Sequence, residues 1–263
     1  MRRWSRAVSS SWNDMRLCAI IPTYNNPATV AEVVARVREH ITDVVVVDDG
    51  STAEAKAVVK GLADAGTCQV VFRAENGGKG AAVKTGLAWA HDNHFDYALQ
   101  IDADLQHDTR DIPKLVANVQ DVHEETLVLA QPTFDASAPK GRLRARKITV
   151  FMAMVETLGK KGGDPLCGYR VYPVEAALRV KARGNAMDFD PEIAVRLVWA
   201  GARVVHVPTP VIYRTAEAGG VSHYRKVVDT LLIAGAHFRL CVEGVLRLIS
   251  APVRSLIRRL RHG

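Results

Sequence analysis

Val44-Val45-Val46-Val47 runs straight into Asp48-Asp49-Gly50-Ser51-Thr52, and the reading of this stretch decides the fold. Four β-branched residues in succession, with no polar residue alternating, suit a strand buried on both faces, the habit of parallel sheets. The five residues after it carry turn and helix-cap chemistry. Working outward, Leu17–Ile21 is a second apolar run, closed by Pro22, and Thr29–His40 repeats Val30, Val33, Val34 and Val37 at helical spacing. Ala53–Ala65 reads as a helix, Gln69–Phe72 as a strand, Gly80–His94 as a helix and Tyr97–Ile101 as a strand. A helix near Ile112–Val119 and a strand at Leu127–Ala130 continue the series. Such alternation predicts an α/β domain, with a mostly parallel central sheet flanked by helices and right-handed crossovers.

In open sheets of this type ligands bind beyond the carboxyl ends of the strands. The unusual residues collect there. After successive strands come Pro22-Thr23-Tyr24-Asn25, Asp48 to Thr52, Glu75-Asn76-Gly77-Gly78-Lys79-Gly80, and Asp102-Ala103-Asp104. Each alone has a structural explanation as a turn or cap; four converging on one edge predict a shared ligand site. Asp102 and Asp104 are costly at the end of a buried strand unless a positive group binds them. A hard divalent cation, held by one or two carboxylates together with substrate phosphates, meets that need. The glycines let backbone approach phosphate oxygens at a helix start. The nucleotide-binding loop G-x-x-x-x-G-K-[ST] is absent, because Lys79 is followed by Gly80, and G-x-G-x-x-G does not follow the first strand. ATPase and dehydrogenase readings lose their main support.

Further along, 132–147 contains Pro132, Pro139 and Gly141, and its last part, 140–147, carries Lys140, Arg142, Arg144, Arg146 and Lys147 with no acid among them. Two readings stay open: a solvated basic loop ahead of a helix Ile148–Leu158, or a movable clamp for phosphates. Gly163-Asp164-Pro165-Leu166-Cys167-Gly168-Tyr169-Arg170 precedes a helix from Pro173. Met187 to Glu192 opens a helix to Trp199, with Asp190 as N-cap before Pro191, and a strand follows at Val204–Val207. Ser222-His223-Tyr224-Arg225 leads into a long helix to about Ile249. After Pro252, Val253, Leu256, Ile257 and Leu260 form an apolar stripe among four arginines, as in a cationic helix lying on an anionic membrane surface. An ordinary docked helix is the alternative.

The chain has 263 residues, 48% hydrophobic and 24% charged, enough for one large domain. Its net charge of +7 equals Arg2, Arg3 and Arg6 at one end plus Arg254, Arg258, Arg259 and Arg261 at the other. The body between them is formally neutral, which argues against a nucleic-acid groove. Cys18, Cys68, Cys167 and Cys241 are scattered, as reduced thiols of a cytoplasmic protein would be. No run reaches the ~18–20 apolar residues of a membrane span, and the first residues lack the apolar core of a secretory signal. The expected division is a basic arm at 1–15, a catalytic domain at 16–225 and C-terminal amphipathic helices at 226–263.

Five motifs, in order over residues 17–225, resemble those of family 2 glycosyltransferases of the GT-A fold, closest to the dolichol-phosphate mannose synthase-like branch. They are Ile21-Pro22-Thr23-Tyr24-Asn25, Val46 to Ser51, Asn76 to Gly80, Asp102-Ala103-Asp104-Leu105-Gln106-His107 and Asp164 to Arg170. The resemblance implies roles. Pro22, Tyr24 and Asn25 would line the nucleoside pocket, with Asp49 bonding the base, and Gly78 and Lys79 beside the donor. Asp102 and Ala103 would face the donor and metal, Asp104 would ligate Mg2+ or Mn2+, and Gln106 would add a ligand. Arg142 and Arg146 belong to a basic closing loop. Arg214 and His223 fall in a second one, where His223 would bind metal or diphosphate. Relatives in this branch often carry C-terminal membrane spans, which this sequence lacks.

The implied reaction displaces a nucleoside diphosphate from a sugar, with inversion, and places the enzyme at the inner face of the cytoplasmic membrane. A hydroxyl acceptor on a lipid needs a general base, for which Asp190 and then Glu192 are the candidates. A polyprenyl phosphate acceptor is already ionised and needs none. Two other readings remain at this point: a sugar-phosphate nucleotidyltransferase, which would want a glycine- and arginine-containing loop after the first strand, and a degenerate nucleotide- or lipid-binding partner protein.

Overall fold

A computed structural model describes residues 15–119, 124–133, 140–159, 163–210 and 225–262. The valine run forms strand β2 (Val44–Asp48), and its residues alternate between two hydrophobic clusters. Val44 and Val46 pack with helix α1 (Val30–Arg38) and Val59 of α2 (Ala53–Asp64). Val45 and Val47 pack on the opposite side with α3 (Lys79–Asp92). Each buried valine contributes about 1.5–3 kcal/mol of transfer free energy, which is why no polar residue interrupts the run.

β1 (Leu17–Thr23) pairs parallel with β2 and with β4 (Tyr97–Gln100), and β2 pairs parallel with β3 (Gln69–Phe72). β5 (Thr126–Thr133) pairs parallel with β7 (Arg203–Pro210). Between β4 and β5 lies β6 (Arg170–Pro173), antiparallel to both. The sheet therefore has seven strands in the order β3-β2-β1-β4-β6-β5-β7. β6 was absent from the sequence reading; only four residues long and bounded by arginine and proline, it has no apolar run to betray it. One face of the sheet is covered by α1, α2 and α4 (Ile112–Val116), the other by α3, α6 (Val174–Arg179) and α7 (Phe189–Ala200). The expected mostly parallel sheet flanked by helices is the observed one.

Three boundaries differ from expectation. Helix α5 spans Lys140–Glu156, so the basic residues from Lys140 onward begin the helix instead of preceding it. α7 starts at Phe189 with Asp188 at its N-cap, which moves Asp190 and Pro191 into the first turn. α8 is one helix, Lys226–His262, continuing through Pro252. It packs on α5 and α7 through Leu240, Ala153 and Val195.

Candidate active site

The carboxyl ends of β1, β2 and β4 and the start of α3 open into a cleft of about 630 Å3. Pro22, Tyr24, Asp49, Gly78, Lys79, Asp102, Ala103, Asp104 and Gln106 line one side of it, as the strand-end argument required. Arg146 of α5, Asp190 of α7 and Asp229 and Ile233 of α8 line the other. The first turns of the long C-terminal helix are thus part of the cleft wall.

The Asp102 carboxylate sits at the centre. Its Oδ2 accepts a hydrogen bond from Lys79 Nζ at 2.8 Å, and the same ammonium lies 3.2 Å from Asp190 Oδ2. Burial works against the Lys79 charge, but Asp102 and Asp190 outweigh it and raise its pKa, so it stays protonated. Burial likewise opposes the Asp102 charge, and Lys79 and its neighbours overcome it and hold its pKa below the ordinary value. Among the described residues Asp104 has no such partner. Burial and then the Asp102 charge push it up to about 6, although the Gln106 N–H donates to its Oδ1 at 3.0 Å.

Asp190 is engaged twice, since Arg170 Nη2 lies 3.7 Å from its Oδ1. Arg170 itself is wholly buried. Gly168 allows this crowding: a Cβ there would stand 2.3 Å from Lys79 Nζ and 2.6 Å from Asp102 Oδ2.

Four expected residues make contacts that the sequence did not reveal. Asp49 uses its oxygens to shape the glycine turn, accepting from the Gly77 and Gly78 N–H groups at 3.1 and 2.8 Å, with Arg73 Nε at 2.7 Å. Gly78, at φ 95°, supplies the left-handed backbone that this turn needs. Asn25 is not in the cleft lining: its N–H donates to Ser51 Oγ and its Oδ1 accepts from Thr52, fastening two strand-end loops together. The next residue, Asn26, lines the cleft in its place. Asp190 is not the N-cap, as described above. Glu192 is turned away from the cleft, accepting from Gly184 N–H at 2.8 Å and pairing with Arg196 Nε at 2.7 Å and Arg239 Nη2 at 3.4 Å. Burial alone would raise its pKa; Arg196 and the Gly184 N–H reverse the sign and hold it low. A carboxylate tied up in this way is not a free proton acceptor.

Arg146 pairs with the buried Asp164 at the cleft wall. Arg142 stands on the first turn of α5 with its side chain outside the described part of the structure, and Arg214 and His223 lie outside the described residues. His107 and Arg170 carry weight that the sequence reading did not give them. The His107 ring lies 5.0 Å from the Tyr169 ring, and burial depresses its pKa to about 4 against the attraction of Asp102. Its place in the quoted motif was the available signal.

No cluster of three histidine, cysteine or acidic side chains poised as metal ligands occurs among the described residues. The carboxylate pair nevertheless fits a divalent cation completed by a bound diphosphate. Among the described residues Asp102 Oδ1 is buried without a hydrogen-bond partner, and burial together with the Asp102 charge raises the pKa of Asp104, strain that a cation would relieve.

The mostly parallel sheet, with this cleft at its strand ends, has the GT-A fold of its structural neighbours. The chain matches the model of the family described as Glycosyl transferase family 2 over residues 18–177, more than half its length, and belongs to that family. It is 26% identical over 214 residues to an undecaprenyl-phosphate mannosyltransferase of Micrococcus luteus, covering 76% of this chain and 85% of the relative. An uncharacterized protein of Methanocaldococcus jannaschii is 29% identical over 225 residues, covering 81% and 95%. Among solved structures, glucosyl-3-phosphoglycerate synthase from Mycobacterium tuberculosis, in complex with Mn2+, UDP and glucosyl-3-phosphoglycerate, superposes with a TM-score of 0.63 at 18% identity. That match covers 87% of this chain and 80% of the other. The protein is a glycosyltransferase.

Proposed function

We propose that the enzyme transfers a sugar from a nucleoside-diphosphate donor to a polyprenyl phosphate, with inversion and with Mg2+ or Mn2+. The observation that carries the choice of acceptor is the engagement of Asp190. It is the counter-ion of Lys79, with Arg170 3.7 Å from its Oδ1, and Glu192 faces away, so the cleft uses its carboxylates to balance buried cations and suits an acceptor that brings no proton to be removed. A phosphate acceptor needs no base. Its ionised oxygen attacks the anomeric carbon while the bond to the diphosphate breaks, and the electron pair leaves with the nucleoside diphosphate.

Pro22, Tyr24 and Asn26 would receive the nucleoside, and Lys79 and Arg146 bring positive charge to the phosphates. Arg142 and Arg214 would add to that charge. Asp102 and Asp104, with Gln106 and His223 as further ligands, would hold the cation. When bound, the cation offsets charge developing on the leaving diphosphate. The relatives support this reading: one is an undecaprenyl-phosphate mannosyltransferase, and a structural neighbour holds UDP with Mn2+.

No described helix is long and apolar enough to cross a membrane. A lipid acceptor would be met at a surface instead. Val227, Leu231, Phe238, Val242, Val245 and Ile249 of α8 are exposed at helical spacing, and Arg254, Arg258, Arg259 and Arg261 follow in sequence. This composition suits the inner face of an anionic cytoplasmic membrane.

The test is thermal stabilisation by a panel of nucleoside diphosphates and their sugars, with and without Mn2+, on wild type and Asp104→Ala. Turnover then follows with an undecaprenyl phosphate and with a hydroxylated lipid. A metal-dependent shift for one nucleotide, lost in the variant, with transfer to the phosphate and an inverted anomer, is the expected result. Transfer to the hydroxyl alone, or a retained anomer, overturns the reading.

A further inference from the structure

Arg170 is a guanidinium with no exposed surface, on a four-residue strand. Burying a charge of this kind is costly, and an apolar residue of similar volume would serve fold stability as well or better. Its bonds therefore invite a functional explanation. Nε donates to the Cys167 carbonyl at 2.9 Å, Nη2 to the Cys167 and Pro165 carbonyls, and Nη1 to the Asp190 carbonyl at 3.0 Å. One side chain thus clamps two separate segments, the loop before β6 and the first turn of α7.

Both segments close on Lys79. The loop presents Gly168, where even a methyl group would collide with the Lys79 ammonium. The helix presents the Asp190 carboxylate, 3.2 Å from that ammonium. We propose that Arg170 is a positioning residue: by fixing the 165–168 loop against the first turn of α7, it holds the Lys79 ammonium at the one place in the cleft where Asp102 and Asp190 share it. Asp190 is then the anion between two cations. A lysine at 170 keeps the charge but loses the planar fork, so it cannot serve both segments at once.

This inference rests on the transferase reading for its importance, but its test does not need the substrates. Trace acetylation of the full-length chain with acetic anhydride, read by mass spectrometry, reports how firmly each lysine is held. The Lys79 side chain is 15% exposed and that of Lys60 is 66%, so Lys60 is the internal reference. In wild type Lys79 should label about ten-fold more slowly than Lys60, and Arg170→Lys should speed it about five-fold without altering Lys60 or the circular dichroism. Gly168→Ala, which disturbs the same contact from the loop side, should do likewise and stands in if Arg170→Lys does not fold. Affinity for UDP or GDP with Mn2+ should fall about ten-fold in Arg170→Lys, and that loss should vanish in a Lys79→Ala background. Unchanged Lys79 labelling in the folded variants, or additive losses in the cycle, overturns the proposal. Failure of wild type to bind either nucleotide counts against the transferase reading, and the labelling still decides the role of Arg170.

Discussion

Asp104 and His107 share one motif and respond to pH in opposite senses. The metal-free Asp104 pKa near 6 lies above its ordinary value, so the folded chain holds that proton more tightly than the unfolded chain. Its stabilising contribution is complete below the ordinary carboxylate value and disappears as the pH rises through about 6. A cation competes for the same oxygens, so Mn2+ affinity should weaken as the pH falls below about 6; the free-Mn2+ paramagnetic resonance signal between pH 5 and 7.5 measures this. His107 is depressed to about 4, so its contribution is present above its ordinary value of 6.5 and lost as the pH falls toward 4. His107→Gln should flatten the fall of Tm across that interval. At this scale the carboxylate pair was legible, because two acids ending a buried strand have few stable explanations. Arg170 was not, because its meaning depends on carbonyls that only folding brings to it. Asn25 was expected in the cleft and instead ties two loops together beside it, since a side chain that builds a loop and one that lines it look alike in sequence.

Between elements, the α7–α8 contact shows how a charged residue near a cleft is misread. Glu192 follows Asp190 by two residues, which on a helix directs the two side chains differently. One meets Lys79, and the other meets Arg196 and Arg239. Glu192→Ala should therefore lower stability by about 1–3 kcal/mol in urea unfolding, the usual cost of leaving a buried donor such as the Gly184 N–H without its acceptor, while kcat falls less than in Asp102→Ala. A larger loss in turnover than in stability would return Glu192 to the chemistry. The strands β1 to β4 and helices α1 to α3 were readable within one or two residues, since period and burial agree there. The start of α5 was missed because Pro139, Gly141 and the clustered basic residues resemble a loop in sequence.

For the molecule as a whole, α8 joins functions that the sequence kept apart. Asp229, Ala236, His237 and Leu240 are buried against the domain, and His237 Nδ1 lies 2.8 Å from Glu156 Oε1 of α5. Removing 226–263 should abolish cooperative folding, whereas ending the chain after Ser250 should preserve Tm within about 3 °C and release the protein from anionic vesicles in flotation. Retained flotation would move membrane contact to other residues. The family and the sheet were legible along most of the chain; the reversal of β6 was not. Yet that reversal has a consequence for how the protein can vary. Because β6 runs against its neighbours, the loop before it enters the site, and pairing of Gln100 with Arg170 sets which side chain arrives on the α3 and α7 face. Adding or deleting one residue between Cys167 and Arg170, if the strand slipped to absorb it, would exchange Arg170 for an adjacent residue facing the other way. The surface turn after α2 has no such bookkeeping, so length changes should be harmless there and ruinous here.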